Sequence, residues 1–229
     1  MQLFHGSIRV IPSPALGLGN PQSDYGRGFY CTESLAMAKE WACKRNTDGF
    51  ANAYELDDEG LRMLDLMKPP YTVLNWIALL LQNRRFALRN TVAIDVRDYI
   101  IDKFAVDLGP YDLVRGYRAD DSYFSYAQDF VENGLPLGLL NRALRLGKLG
   151  QQVVLVSERA FDRLVFVGAE PAAASEYYPR FLENDIRARD AYRHDVRRAK
   201  SYADDLFAAQ IMFEEVDNDD PRVRRLLSA

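Results

Sequence analysis

Two residue types that carry much of enzyme chemistry are scarce here. The 229-residue chain has two cysteines, Cys31 and Cys43, and two histidines, His5 and His194. Two thiols make neither a disulfide framework nor a four-thiolate zinc site. No His-x-x-x-His pair exists for a zinc protease, so no metal centre is expected. Missing as well are a Gly-x-x-x-x-Gly-Lys-Ser/Thr phosphate loop and a Gly-x-Ser-x-Gly nucleophile elbow. Gly17-Leu18-Gly19-Asn20 is a fragment of a glycine loop that follows no clear strand and opens no helix. Surplus positive charge is lacking too. A net charge of -4 and an isoelectric point near 5.3 argue against a general nucleic-acid coat, whose affinity comes from excess Lys and Arg. They leave room for a local basic groove. The most apolar run, residues 73–81, is far short of the ~20 residues that span a bilayer. The opening residues lack the basic-then-apolar order of a secretory signal. A soluble cytoplasmic protein without membrane association is the expectation.

What is present is ordinary globular composition, 48% hydrophobic and 27% charged, in a chain long enough to bury roughly 70% of its unfolded surface. Residues 1–170 are expected to form one domain. Residues 171–229 form a helical extension that packs on it or binds a partner, with Ala172-Ala173-Ala174 the nearest thing to a composition break. An extended segment Gln2–Ser7 precedes a breaker-rich loop over residues 11–28. A strand follows at 28–31, with Thr32 as N-cap of a helix on which Leu35, Ala38, Trp41 and Ala42 share a face. Residues 50–56 read as a strand. Residues 73–81 have the spacing of an amphipathic helix. Thr91–Phe104 reads as another helix, with Val92, Val96, Tyr99, Ile100 and Phe104 on its apolar side. Residues 112–118 suggest a strand, 122–131 and 136–146 helices, 151–157 a strand apolar on both parities, and 164–167 a short return strand. A final long helix would carry Tyr202, Leu206, Ala209, Phe213 and Val216 on one face. Strands and helices without regular βαβ alternation predict an α+β fold.

Three pieces suggest chemistry. In Leu3-Phe4-His5-Gly6-Ser7, a histidine followed by glycine exposes a ring beside backbone that a ligand can approach closely. The plainer alternative is a histidine capping a turn. In Asp24-Tyr25-Gly26-Arg27-Gly28-Phe29-Tyr30-Cys31-Thr32, alternation sends Phe29 and Tyr30 to opposite faces. One ring can then fill core while the other offers a platform for a flat ligand, unless both simply fill core. Gln151-Gln152 opens an apolar strand, as ordinary strand-end residues also do. Two basic groups, Arg187-to-Lys200 and Arg142/Arg145/Lys148, fit solvated helix faces as well as a nucleic-acid partner.

In this order the pieces resemble the ADP-ribosyltransferase superfamily, in its branch with a His, a Tyr and a Glu-like third residue. More closely they resemble a bacterial family of that fold described as a domain of unknown function. The resemblance rests on residues 3–7 and 24–32, on Ala38-Lys39-Glu40-Trp41-Ala42, on Gly116-Tyr117-Arg118-Ala119-Asp120-Asp121, and more loosely on 152–161. It implies a split β-sheet with flanking helices and a cleft that takes NAD as co-substrate. His5 would bond the adenine-side ribose, and the Gly6 backbone would hold the nicotinamide amide beside Ser7. Tyr30 would stack on nicotinamide, and Gln152 would stand where the catalytic glutamate does, at the ribose 2′-hydroxyl. Arg27, between two glycines, would clamp the pyrophosphate, or else lie in solvent on its loop. Asp120 and Asp121 would supply negative charge, or else cap the following helix. The implied activity is transfer of ADP-ribose to a protein or nucleic-acid acceptor, as the toxin of a bacterial toxin–antitoxin or defence pair with a small antitoxin protein as partner. An NAD glycohydrolase and a non-catalytic nucleotide-binding or interaction module are the alternatives.

Overall fold

A computed structural model describes residues 1–119, 121–146, 150–196 and 205–227. The element order is β1 (Gln2–Ser7), β2 (Phe29–Cys31), α1 (Leu35–Cys43), β3 (Gly49–Leu56), β4 (Met63–Asp65), α2 (Val73–Asn83), α3 (Thr91–Phe104) and β5 (Leu113–Tyr117). It continues with α4 (Asp121–Val131), α5 (Leu137–Leu146), β6 (Gln151–Leu155), α6 (Glu158–Asp162), β7 (Leu164–Ala172), α7 (Ala174–Ala191), α8 (Ala208–Phe213) and α9 (Pro221–Arg224). The fold is mixed α+β with two sheets, flanking helices and a helical C-terminal end. Two compact units emerge, each assembled from three stretches of chain. The first is Met1–Leu64, Leu108–Gly116 and Gly150–Ile186; the second is Asp65–Asp107, Tyr117–Leu149 and Arg187–Ala229. No helix among the described residues is long and apolar enough to cross a membrane.

Apart from the terminal Asp65 and Tyr117, both sheets belong to the first unit. One has the order β1-β3-β7 and the other β2-β6-β5-β4. Leu3, Tyr54 and Leu56 of the first sheet pack with Phe29, Cys31, Leu113, Val153 and Leu155 of the second, and with Ala160 of α6. Val153, Val154 and Leu155 are each at most 1% exposed, so β6 is covered on both faces, as its unbroken apolar run requires. Helix α1 lies close on β1 because both sides of the contact are small. Ala38 and Ala42 are buried along it, with Cys43 at its end, and a Cβ on Gly6 would fall 2.1 Å from the Ala38 carbonyl oxygen. The N-cap of α1 is Ser34, whose Oγ accepts from Met37 N–H at 3.3 Å. Thr32, the expected cap, is drawn back into the sheet by backbone bonds to Phe4, and its Oγ1 instead accepts from Ser34 N–H. Strand β7 also runs farther than expected, through Pro171. It is an edge strand, where a residue without an N–H is tolerated.

In the second unit, α2 is the central helix. Every residue from Val73 to Leu81 is buried, so the expected amphipathic helix is covered on all sides over this stretch, as befits a core helix. Its one polar core residue, Asn75, donates to Phe104 O at 2.9 Å and closes a capping box with Thr72. Helix α3 has its expected bounds, but its inner face is Ala93, Val96, Ile100 and Phe104. Val92, expected inside, is 43% exposed. The single long final helix does not form: α8 has six residues, Leu206 lies buried ahead of it, and Phe213 is exposed. Tyr202 of that expected face lies outside the described residues. The long C-terminal helix is α7, with Pro179 inside it.

Candidate functional site

Backbone phase in β1 sets the geometry. Met1 and Leu56 exchange backbone hydrogen bonds, and β1 pairs with β3 in unbroken antiparallel register, Leu3 with Tyr54 and His5 with Asn52. Antiparallel pairs alternate in their bonding, so Leu3 and His5 direct their backbone groups to β3. Phe4 and Gly6 direct theirs to the other side. Phe4 duly bonds Thr32 there, in both directions, at 2.8 and 2.9 Å.

That Phe4–Thr32 bridge is isolated. In a continued ladder the next donor to the Tyr30 carbonyl would be Gly6 N–H. The His5 imidazole takes that acceptor instead, with Nδ1–H donating to Tyr30 O at 2.7 Å. The β1–β2 pairing stops at this point, so the N–H and C=O of Gly6 lie on the side of β1 away from β3 as a neighbouring donor and acceptor. Because a carbonyl only accepts, the His5 proton sits on Nδ1 and Nε2 is left as an acceptor. Burial lowers the His5 pKa below its usual value, outweighing the bond to Tyr30 O, which raises it. The ring is therefore neutral at pH 7, stacked on Phe29 with centroids 4.5 Å apart.

Tyr30 and Gln152 come together by register. Tyr30 pairs with Val154, and Gln152, two residues from Val154, projects from the same face as Tyr30. The Tyr30 hydroxyl donates to Gly26 O at 2.7 Å and accepts from Tyr25 N–H at 3.0 Å. Gln152, 3% exposed, donates from Nε2 to Asp24 Oδ2 at 2.9 Å. The turn at residues 24–26 thus holds both side chains. His5 projects from the opposite face, with Phe29, and meets the backbone oxygen of Tyr30.

The remaining expected residues divide. Gly6 has a packing reason to be glycine, the approach of α1, besides any ligand. Ser7 accepts from Arg9 N–H at 3.2 Å, which leaves its hydroxyl proton to donate. Arg27 is exposed and lies along its own loop, with Nη1 donating to Gly17 O at 3.4 Å. Asp120 and the side chain of Asp121 lie outside the described residues, as do Lys148, Arg197, Arg198 and Lys200 and the side chain of Arg145. Both cysteines are buried, and burial pushes the Cys31 thiol far up, so neither is an activated nucleophile.

A family description matches residues 1–166: protein of unknown function, DUF3990. The chain belongs to this DUF3990 family. The matched stretch holds His5, Gly6, Ser7, Arg27, Tyr30 and Gln152, and stops within β7. Comparisons with curated proteins and with solved structures return no match.

Two residues that hold this site together carry no role in the sequence reading, although Asp24 opens the 24–32 block. Asn52 is fully buried; its Nδ2 donates to His5 O and Arg9 O at 3.2 and 3.1 Å, and its Oδ1 accepts from Ile11 N–H at 2.8 Å. Together with the Tyr54 hydroxyl, which donates to Ile11 O at 2.6 Å, it ties the start of the long loop to β3. Asp24 is the other. For Asn52 the one signal is a polar residue amid small or aromatic neighbours. A cavity of about 420 Å³ opens at the Met1 end of β1. Its walls hold the Arg163–Asp57 ion pair, 3.8 Å apart, and none of the site residues.

Proposed function

We propose that this protein is an NAD-consuming ADP-ribosyltransferase with the split-sheet fold of that superfamily, acting as the toxin of a bacterial toxin–antitoxin or defence pair. The observation that carries the reading is the edge of β1 where its pairing with β2 stops. Gly6 offers an adjacent N–H and C=O, the complement of a primary carboxamide such as that of nicotinamide, and this edge adjoins a neutral imidazole with a free acceptor nitrogen. In the proposal His5 Nε2 accepts from a ribose hydroxyl, Tyr30 stacks on the nicotinamide ring, and Gln152 Oε1 accepts from the 2′-hydroxyl of the nicotinamide ribose. Latched through its hydroxyl, the Tyr30 ring costs little to order when substrate arrives.

The reaction breaks the bond between ribose C1′ and the nicotinamide nitrogen. The electron pair leaves with nicotinamide, which becomes neutral, and C1′ takes on oxocarbenium character. A nucleophilic atom of the acceptor then bonds C1′ and loses its proton to solvent. Fixed dipoles and charges aimed at C1′ lower this barrier. Tyr30→Ala in the purified protein, with cell lysate as acceptor source, tests the assignment. Nicotinamide release that depends on Tyr30 supports it, and release unchanged in the variant rejects the site. The neutral amide of Gln152 favours one second reading, a nucleotide-binding module without turnover. Its signature is calorimetric NAD binding with no nicotinamide released.

A further inference from the structure

A primary amide carries two N–H donors on one side and an acceptor oxygen on the other. A carboxylate only accepts, so Nε2 of Gln152 must face Asp24, and Oε1 is turned away from it. Both side chains are buried, Asp24 5% and Gln152 3% exposed, with 2.9 Å between Nε2 and Oδ2. A hydrogen bond to an ionised group is shorter and stronger than a neutral one, and burial keeps solvent from weakening it. Asp24 also immediately precedes Tyr25, whose N–H holds the Tyr30 hydroxyl.

We propose that Asp24 is the anionic positioning residue of this site. It fixes the Gln152 amide with Oε1 toward the substrate ribose and, through that polarised amide, supplies the negative charge that a glutamate at position 152 would carry. This rests on the NAD-cleaving reading and extends it. Installing a glutamate at 152 then does not improve the enzyme. It sets two carboxylates against each other in a buried place, where like charges cannot both ionise cheaply.

The test uses full-length wild type, Asp24→Asn, Gln152→Glu and the exchanged pair Asp24→Asn/Gln152→Glu. Melting temperature is followed from pH 4 to 8, alongside kcat and KM for nicotinamide release from NAD. In Gln152→Glu two facing buried carboxylates cannot both ionise cheaply, so stability is kept at low pH and lost as pH rises. The exchanged pair restores a wild-type profile, because it again sets one amide against one carboxylate. Asp24→Asn keeps an acceptor for Nε2 but loses the charge, so kcat falls by about 10²-fold while KM stays within about threefold. The exchanged pair recovers most of that loss. A flat Gln152→Glu stability profile, or Asp24→Asn with wild-type kcat, overturns the proposal. Absence of release by wild type would remove the catalytic reading, while the melting profiles, which need no NAD, still decide whether the pair exists.

Discussion

Gly6→Ala isolates a structural demand that a ligand-based reading of the His-Gly pair hides. The added Cβ would lie 2.1 Å from Ala38 O and 2.8 Å from Ala42 N, both backbone atoms of α1, and 2.8 Å from Trp41 Cβ. Ordinary contact begins near 3.4 Å, so α1 must retreat by about 1.3 Å or β1 must bend. Rigid backbone on both sides puts the cost toward the upper end of overpacking, about 2–3 kcal/mol. For a chain of this size that is a fall in Tm of roughly 4–12 °C. The control is Gly168→Ala, also in the β1-β3-β7 sheet, where a Cβ meets nothing within 4 Å; it should stay within about 0.5 kcal/mol of wild type. Thermal melts of the three proteins without any nucleotide give the answer. Gly6→Ala melting with wild type would refute the packing argument and leave ligand approach as the reason for glycine.

Three further outcomes follow from the same geometry. His5 has a folded-state pKa depressed below 6.5 by burial, so its stabilising effect is complete above pH 6.5 and is lost as pH falls. Stability of wild type relative to His5→Gln should therefore drop on acidification by at most about 1.4 kcal/mol per pH unit, measured by urea unfolding at pH 5 to 8; a pH-independent difference counts against a buried neutral ring. Tyr30→Phe leaves Gly26 O and Tyr25 N–H without the hydroxyl, costing about 1–2 kcal/mol, and limited proteolysis should cut residues 11–28 faster than in wild type. Asn52→Ala strips partners from His5 O, Arg9 O and Ile11 N–H and should cost about 2–3 kcal/mol; a loss under 0.5 kcal/mol by denaturant titration would contradict its role as a clamp.

Local signals carried the sequence reading where an element's own residues decide its form. The bounds of α3 follow from its period and from Asn90, whose side chain accepts from Ala93 N–H at 2.8 Å. The apolar run of β6 announces a strand covered twice. Signals fail where the neighbours decide. Three-residue β4 and five-residue α6 are too short to show a period. Pro171 looks like a stop until β7 is known to be an edge. Thr32 and Ser34 are equally good caps by type, and the bridge to Phe4 chooses between them. The two units share the chain in alternating stretches, so no composition shift marks their limits. At the site, the residue types are legible because His5 precedes a glycine, Tyr30 alternates with Phe29 just after the Gly26–Gly28 turn, and Gln152 opens an apolar strand. Their relations are not. That the imidazole replaces a ladder bond, and that Asp24 holds Gln152, depends on pairings 25 and 128 residues apart.

The most direct test of the functional proposal is nicotinamide release from NAD by the purified full-length protein in the presence of cell lysate, with Tyr30→Ala beside it. The proposal predicts release by wild type, ADP-ribose appearing on a macromolecule in matching amount, and loss of both in the variant without a matching loss of fold. No release above the lysate background, from wild-type protein that is folded and supplied with every acceptor the lysate holds, would contradict it.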